Sequence, residues 1–286
     1  MDQISAGGSC RISSKDYQGM PGVPQPAICP HCGGKRYHIG VKFGTRMWWC
    51  PEPDECTCPG VMAEKAAQKA EKEAREQAEE QRRREKKKAQ LLQSSGISKR
   101  FLRRTFATFQ PTPETEKAFR ICRRYTETFR DLNGDKNSLM LAGNCGTGKT
   151  HLAAAIANAL LEQMVPVLFT TPNDLTAAVR STFQRSGSQT DKVQMYQKIP
   201  LLVLDDLGKE PPTEWSVSLL YRVINARYEA DAPMVITTNY DAPSLVKRLT
   251  PPGGDGITGK SIVDRLIEMC CYLPMTGKSH RKGGTP

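Results

Sequence analysis

The sequence lacks long apolar stretches. No run approaches the ~18 apolar residues that a membrane-spanning helix needs, so neither a membrane span nor a membrane partner is expected. The first residues, MDQISAGGSC, also lack the apolar segment of a secretion signal. We therefore expect a cytoplasmic protein. In a reducing compartment, cysteine clusters more often bind metal than form disulfides, and this chain has ten cysteines.

Acidic residues are fewer than basic ones, 30 against 41, which gives a formal net charge of +11. Most of the excess lies in residues 82–104, where ten Lys or Arg face a single acid, Glu85, for a net charge of +9. Such a block indicates an anionic partner, most often nucleic acid, although a solvated linker helix has the same composition. The hydrophobic fraction of 38% and the charged fraction of 25% are typical of a globular protein.

Composition divides the chain into four segments. Residues 1–26, rich in Gly, Ser and Pro, predict a disordered N-terminus, and residues 27–60 predict a compact module rich in Cys, His and Trp. Residues 61–96 are strong helix formers without a broad apolar stripe, which predicts a charged helical linker. In residues 97–286 apolar strands alternate with helices, which predicts an α/β domain with a parallel sheet covered on both faces. Its predicted strands are 138–142, 165–170, 199–204 and 234–238.

Residues 143–150, GNCGTGKT, fit the pattern G-x-x-x-x-G-K-[ST] between a predicted strand and a predicted helix. The glycines let consecutive backbone N–H groups point into one concavity, and the helix N-terminus adds positive potential for phosphate. Lys149 has the reach for the β- and γ-phosphates, and the Thr150 hydroxyl is a ligand for Mg²⁺. The predicted ATP site comprises Gly143, Asn144, Cys145, Gly146, Thr147, Gly148, Lys149, Thr150 and the adjoining His151.

Four apolar residues, 201–204, precede Asp205 and Asp206, as in a Walker B strand. Asp205 is expected to hold Mg²⁺ through water, and Asp206 to orient the attacking water, with Glu210 as a weaker alternative. Aspartate is shorter than the glutamate common at this place, which predicts slow turnover. A further apolar strand ends at Asn239, and the carboxyl ends of parallel strands meet at one edge of a sheet. Asn239 is therefore expected beside the γ-phosphate.

Residues 96–282 resemble the DnaC/DnaI-type bacterial and phage helicase loaders within the AAA+ ATPases. The resemblance rests on SGISKRFLRRTFATF, GNCGTGKTHLAAAIANALL, LLVLDDLGKEPPTEW, LLYRVINARY, VITTNY and SIVDRL. It implies a three-layer AAA+ P-loop domain with Asn239 as sensor 1, Arg265 as an arginine finger for ATP held by a neighbouring subunit, and Arg281 as sensor 2. The alternative for Arg265 is an ordinary arginine on the surface of a helix. Arg227 of INARY is a candidate for the phosphate side or a subunit interface.

The resemblance also implies an ATP-controlled switch. ATP would favour self-assembly of loader subunits on the hexameric replicative helicase and on single-stranded DNA, and hydrolysis would release the loader. Residues 172–198 would then face DNA, although their aromatic residues suit core positions equally well. The basic and aromatic residues in question are Arg180, Phe183, Arg185, Lys192 and Tyr196. Two alternatives share the ATPase core: an IstB-like helper of transposition, and a DNA-binding adaptor that uses ATP as a structural ligand.

The N-terminal module contains a C-x₂-C pair followed by three further cysteines: Cys29, Cys32, Cys50, Cys56 and Cys58. Four thiolates at such spacing can share one Zn²⁺, and disulfides are the alternative. Spacing does not decide which of the last three cysteines is spare. His31 and His38 are poorer candidates because enough thiolates exist. The zinc is expected to be structural because a module this small has little core of its own.

Overall fold

The structure, a computed structural model, describes residues 10–132, 136–184, 189–277 and 279. The chain divides into two compact units, Met1–Arg83 and Arg84–Pro286. The boundary between them falls within helix α1 (Pro59–Ser94), none of whose residues is buried. Alanine and charged residues favour a helix there, but they supply no broad apolar face along most of its length. Near the end of α1, Leu91 and Leu92 pack against the core of the second unit.

The first unit is built on a small antiparallel sheet. Its strands are β1 (Cys10–Ser13), β2 (Ala27–Ile28), β3 (Lys35–Arg36), β4 (His38–Phe43) and β5 (Arg46–Pro53). Strands β1, β4 and β5 form a three-stranded sheet in that order, and β2 pairs with β3. Gly44 lies in the turn between β4 and β5 with a φ of 60°, a left-handed conformation that glycine adopts without steric cost.

The structure corrects the expectation of disorder for part of residues 1–26. Cys10–Ser13 pairs with β4, and the Ser14 hydroxyl accepts a hydrogen bond from the His38 N–H at 2.8 Å. The prediction of disorder is wrong for these residues because they pair with β4, which begins at His38. Local composition carries no information about such a distant partner strand. Residues 1–9 lie outside the described part of the chain.

The second unit is an α/β domain. Its elements are α2 (Lys99–Leu102), α3 (Glu116–Glu127), β6 (Ser138–Ala142), α4 (Lys149–Glu162), β7 (Val167–Thr170), α5 (Pro172–Arg180), α6 (Gln189–Lys198), β8 (Leu201–Leu207), α7 (Glu214–Glu229), β9 (Met234–Thr238), α8 (Ala242–Arg248), α9 (Ile257–Met269) and β10 (Cys270–Pro274). All sheet pairings are parallel, in the order β10–β6–β9–β8–β7. The sequence predicts four of these strands. It does not predict β10, which follows α9 without a turn and ends in proline.

Successive residues along the strands pack on opposite faces of the sheet. In β6, Leu139 and Leu141 join one apolar core with α4, whereas Met140 joins the other core with α7 and α9. This alternation fits buried parallel strands, which need apolar side chains on both faces. The predicted three-layer α/β domain is confirmed. Among the described residues, no helix has the length and apolar character needed to cross a bilayer.

Arg227 lies far from its expected place. It is fully buried, and its guanidinium donates hydrogen bonds to backbone carbonyls at the end of α6 and just before β8 and β9. The acceptors are Tyr196 at 3.0 Å, Gln197 at 3.2 Å, Ile199 at 2.8 Å, Pro200 at 3.4 Å and Pro233 at 2.6 Å. Burial lowers the pKa of Arg227 to about 10, so the side chain stays charged at neutral pH. The interpretation as a phosphate-side or subunit-interface residue is wrong, since these contacts belong to the opposite edge of the sheet from the P-loop.

Candidate nucleotide site and cysteine centre

The P-loop connects β6 to α4 at the carboxyl edge of the sheet. Its glycines adopt positive φ values of 151° at Gly143, 84° at Gly146 and 96° at Gly148. A Cβ atom at Gly148 would lie 2.7 Å from the ring of Phe109, and one at Gly143 would collide with the Met275 carbonyl oxygen. The glycine spacing is therefore required both by the turn and by the close packing around it.

Two side chains that follow the loop point toward its concave side. The Lys149 ammonium donates hydrogen bonds to the carbonyls of Gly143 at 2.9 Å and Asn144 at 2.7 Å, which holds it across the loop. The Thr150 hydroxyl donates to Oδ1 of Asp205 at 2.9 Å. The structure thus brings the P-loop hydroxyl and the first Walker B acid together. Hydroxyl and carboxylate oxygens are donors that suit Mg²⁺, so this pair fits the ion, and its role as a ligand pair stays a prediction.

Asp205 is buried at the end of β8 and accepts a second hydrogen bond, from the Thr237 hydroxyl at 2.6 Å. Burial raises the pKa of Asp205, and the hydrogen bonds from Thr237 and Thr150 act in the opposite direction. A divalent cation at this place would favour the charged carboxylate and offset the cost of its desolvation.

Asp206 adopts a φ of 60°, a left-handed conformation that is uncommon outside glycine. Its N–H donates to the Thr237 hydroxyl at 2.8 Å, and its carboxylate forms an ion pair with Lys209 at 3.0 Å. Thr237 therefore binds both Walker B acids, donating to one and accepting from the other. Sequence reasoning missed Thr237 and Lys209. The available signal for Thr237 was its position on the strand that ends at Asn239.

One cavity of about 630 Å³ is lined by Lys149, Thr150, Asp205, Lys209 and Asn239, as the sheet order predicts for Asn239. Strand β9 lies between β6 and β8, so the residue that follows it faces both the P-loop and the Walker B acids. Asp206, Cys145 and His151 also line the cavity.

Arg100 and Arg104 line the same cavity, although the sequence pointed to them only as members of a basic block. They belong to a segment that is fastened to the P-loop helix. The Asn158 amide donates to the carbonyls of Phe101 and Arg104, each at 2.9 Å, and His151 Nε2 lies 3.0 Å from the Thr105 carbonyl. Two cations are thereby held near the place where the P-loop predicts phosphate.

Arg265 is not among the described residues that line this cavity. Its Nε donates to Asn225 Oδ1 at 2.6 Å, and its guanidinium lies over the rings of Tyr221 and Tyr228 at 5.0 and 5.6 Å. These contacts fix α9 against α7 within the subunit. Action on the ATP of a neighbouring subunit stays a prediction, as does the sensor role of Arg281, which lies outside the described residues.

The DNA-facing interpretation of residues 172–198 is only partly compatible with the structure. Tyr196 is buried in the core, so it is not a base-stacking residue. Arg180 is exposed and lies over the ring of Trp215 at 4.9 Å. Arg185 and the side chain of Phe183 lie outside the described part of the chain.

Four cysteines of the first unit converge. The sulfur atoms of Cys29, Cys32, Cys56 and Cys58 all lie within 4.8 Å of one another. The Sγ–Sγ distance is 3.8 Å between Cys29 and Cys58 and 3.5 Å between Cys32 and Cys56. Tetrahedral zinc with bonds of about 2.3 Å places sulfurs about 3.8 Å apart, whereas a disulfide bond is only about 2.05 Å long. The geometry fits a four-thiolate metal centre.

Cys50, which spacing left as a candidate, is the cysteine outside this group. It is exposed on β5, and its carbonyl lies 2.8 Å from Nδ1 of the buried His38. His31 Nε2 lies 2.9 Å from a carboxylate oxygen of Glu64. Both histidines therefore have hydrogen-bond partners within the module.

The thiols of the cluster differ in acidity. The backbone N–H of Cys32 is the main cause that lowers the pKa of Cys29 to about 6. The N–H of Cys58 acts in the same direction on Cys56, but the neighbouring thiol of Cys32 and burial outweigh it and raise that pKa to about 12. Crowded sulfurs cannot all ionise without a cation, and a bound divalent ion supplies the missing charge.

The parallel sheet, the P-loop after β6 and the acids at the end of β8 define a AAA+ P-loop nucleotide-binding protein. A family profile described as "IstB-like ATP binding protein" matches residues 67–284, which is more than half of the chain, and the chain belongs to this family.

Individual relatives include a helicase loader and a protein of an insertion sequence. The replicative helicase loader DnaC of Escherichia coli K12 is 30% identical over 145 residues, which cover 50% of this chain and 54% of DnaC. The ATP-binding protein of insertion sequence IS5376 from Geobacillus stearothermophilus is 29% identical over 187 residues, 65% of this chain and 70% of that protein. A crystal structure of the DnaC helicase loader has a TM-score of 0.54 at 27% identity and covers 63% of this chain and 100% of that chain. The chain thus spans about half the length of the DnaC relative that it matches.

Proposed function

We propose that this chain is an ATP-dependent loader of a hexameric replicative helicase onto single-stranded DNA, and that it acts in the cytoplasm. The observation that carries the proposal is the cavity shared by Lys149, Thr150, Asp205, Asp206 and Asn239 in a domain similar to DnaC. ATP binding would assemble the loader on its partners, and hydrolysis would release it.

Each side chain has a task in this proposal. Lys149 neutralises charge on the β- and γ-phosphates, while Thr150 and Asp205 hold Mg²⁺, which when bound screens the phosphate charge. Asp206 orients the attacking water, and its carboxylate forms an ion pair with Lys209. Arg265 completes the site of an adjacent subunit, which makes hydrolysis depend on assembly.

Binding to the hexameric helicase from the same source is the direct test. Size-exclusion chromatography compares complexes formed without nucleotide, with ATP and with a non-hydrolysable analogue. We expect ATP-dependent association for the native chain, loss of ATP control for Lys149→Ala, and retained association with slow release for Asp206→Asn. Arg75→Ala, which changes an exposed cation on α1, is the matched control. No association in any nucleotide state would refute the loader proposal.

A second candidate function is supported by the insertion-sequence relative, which shares the ATPase core. In that case the partner is a transposase, and the same chromatography with the transposase replaces the helicase experiment. A third possibility, an adaptor that holds ATP without turnover, is favoured if hydrolysis is absent both with and without single-stranded DNA. The short carboxylate of Asp206 is the reason for measuring hydrolysis with and without single-stranded DNA.

The cysteine centre is proposed to hold structural Zn²⁺. Four thiolates leave no open coordination position for a substrate, and this arrangement is typical of structural rather than catalytic zinc. The ion would replace the apolar core that a sheet of three short strands cannot provide.

A further inference from the structure

The hairpin of β4 and β5 exposes apolar and aromatic side chains on one face. Val41 and Trp48 are directly paired across the hairpin, with 44% and 56% of their surfaces exposed. Phe43, at the end of β4, is 61% exposed. Residues 41 and 43 share a face because side chains alternate along a strand, and Val41 pairs with Trp48. Exposure of this kind forgoes the stabilisation of burying a large aromatic, which indicates a binding role.

The two consecutive tryptophans lie on opposite faces of the hairpin, and Trp48 is the more exposed of them. Trp49 covers Gly40 so closely that a Cβ atom there would lie 2.6 Å from its ring. Tyr17 meets Trp49 edge to face at 6.0 Å, and Lys42 lies 5.7 Å from the centre of the Tyr17 ring. Trp49 therefore packs within the module, whereas Trp48 on the other face is 56% exposed.

Cations flank the exposed aromatics. Arg46 pairs with Phe43 at the hairpin end, and Arg11 of β1 pairs with Val41 on its other side. Both arginines are exposed. Residues 40–50 contain no acid, and the first acid further along β5 is Glu52. The surface formed by Arg11, Val41, Phe43, Arg46 and Trp48 is called the hairpin platform below.

We propose that the hairpin platform binds single-stranded nucleic acid. Unpaired bases stack on Trp48 and Phe43, and the arginines contact the phosphates on either side. A folded protein partner fits less well, because three apolar side chains offer far less than the about 800 Å² per partner of a stable protein interface. The proposal gives the single-stranded DNA of the proposed function a site outside the ATPase domain. It does not depend on the chain being a helicase loader.

Fluorescence anisotropy with a labelled oligothymidylate tests the platform in the full-length, zinc-loaded chain. We expect Trp48→Ala and Phe43→Ala each to weaken binding about tenfold, because each change removes an aromatic ring on which one base stacks. Trp48→Phe should retain most of the affinity, and Arg46→Ala should weaken binding and flatten its dependence on salt. The affinity for duplex DNA of the same length should change little in Trp48→Ala, because paired bases are not free to stack on the ring.

Two control variants match the changes elsewhere in the chain. Tyr272→Ala removes an aromatic that is 53% exposed in the ATPase domain, and Arg75→Ala removes an exposed cation of α1. Equal affinities of Trp48→Ala and the native chain would overturn the proposal, as would an equal loss in Tyr272→Ala. Loss of helicase association with unchanged oligonucleotide affinity would also overturn it and assign the platform to a protein partner. Platform-dependent oligonucleotide binding without helicase association would support the platform while refuting the loader function.

Discussion

Replacing Thr237 by valine tests whether one hydroxyl organises both Walker B acids. Thr237 is fully buried at the end of β9, and valine has nearly the same shape, so packing is retained while two hydrogen bonds are lost. One is donated to the Asp205 carboxylate at 2.6 Å, and the other is accepted from the Asp206 N–H at 2.8 Å.

The expected loss of stability follows from these two bonds. A hydrogen bond to a charged group contributes about 1.5–3 kcal/mol and a neutral one about 0.5–1.5 kcal/mol. Thr237→Val should therefore lower the free energy of unfolding by about 2–4.5 kcal/mol. In addition, Asp206 would lose the contact that holds its left-handed backbone, a conformation that costs about 1 kcal/mol or more. Its carboxylate would then be displaced from the position of the attacking water, so kcat should fall more than KM rises.

Urea denaturation and steady-state ATP hydrolysis measure the two effects in the full-length chain. Thr237→Ser is the matched control, because it keeps the hydroxyl and loses only a methyl group. We expect Thr237→Ser to retain most of the activity and Thr237→Val to lose about tenfold or more in kcat. A Thr237→Val protein with native stability and native kcat would show that the hydroxyl does not position the acids.

Two further predictions concern the cysteine centre and the buried arginine. Metal analysis of freshly reduced protein should find one zinc per chain, lost in Cys32→Ser and retained in Cys50→Ser; absence of zinc from the reduced native chain would contradict the assignment. Arg227→Met should destabilise the ATPase domain by about 3 kcal/mol or more, because it leaves several buried carbonyls without donors. Arg222→Met, an exposed position on the same helix, is the control, and equal urea midpoints for the two variants would contradict the structural role of Arg227.

The nucleotide site could be predicted from the sequence because its parts are contiguous. The P-loop and the Walker B acids each lie within one short segment that includes the strand that positions it. Parallel strands gather at one edge, so the meeting of Thr150, Asp205 and Asn239 also follows from the order of the segments.

The other parts depend on which distant segments pair, and local patterns do not contain that information. Spacing alone makes Cys50 and Cys56 equally good candidates as metal ligands. Only the path of the chain from β5 into α1 brings Cys56 to Cys29 and Cys32. The same limit applies to Arg227, because its position on the helix does not decide whether the side chain is exposed to solvent or buried in the core. The carbonyls that accept its hydrogen bonds come from the end of α6 and from the residues just before β8 and β9.

Arg248 shows how residues outside the cavity set the conformation of the acids inside it. It donates hydrogen bonds to the carbonyls of Gly208 and Lys209, each at 2.8 Å, and lies over the ring of Tyr240 at 5.3 Å. Tyr240 directly follows Asn239, so one cation from α8 fixes both the loop after β8 and the end of β9. The Thr238 hydroxyl adds a bond to the Leu207 carbonyl at 2.8 Å. With Gly208 at a φ of 85° after the left-handed Asp206, this loop leaves the regular strand and needs these outside donors for its carbonyls. A Walker B pattern therefore predicts that the acids are present, whereas β9 and α8 determine where they point.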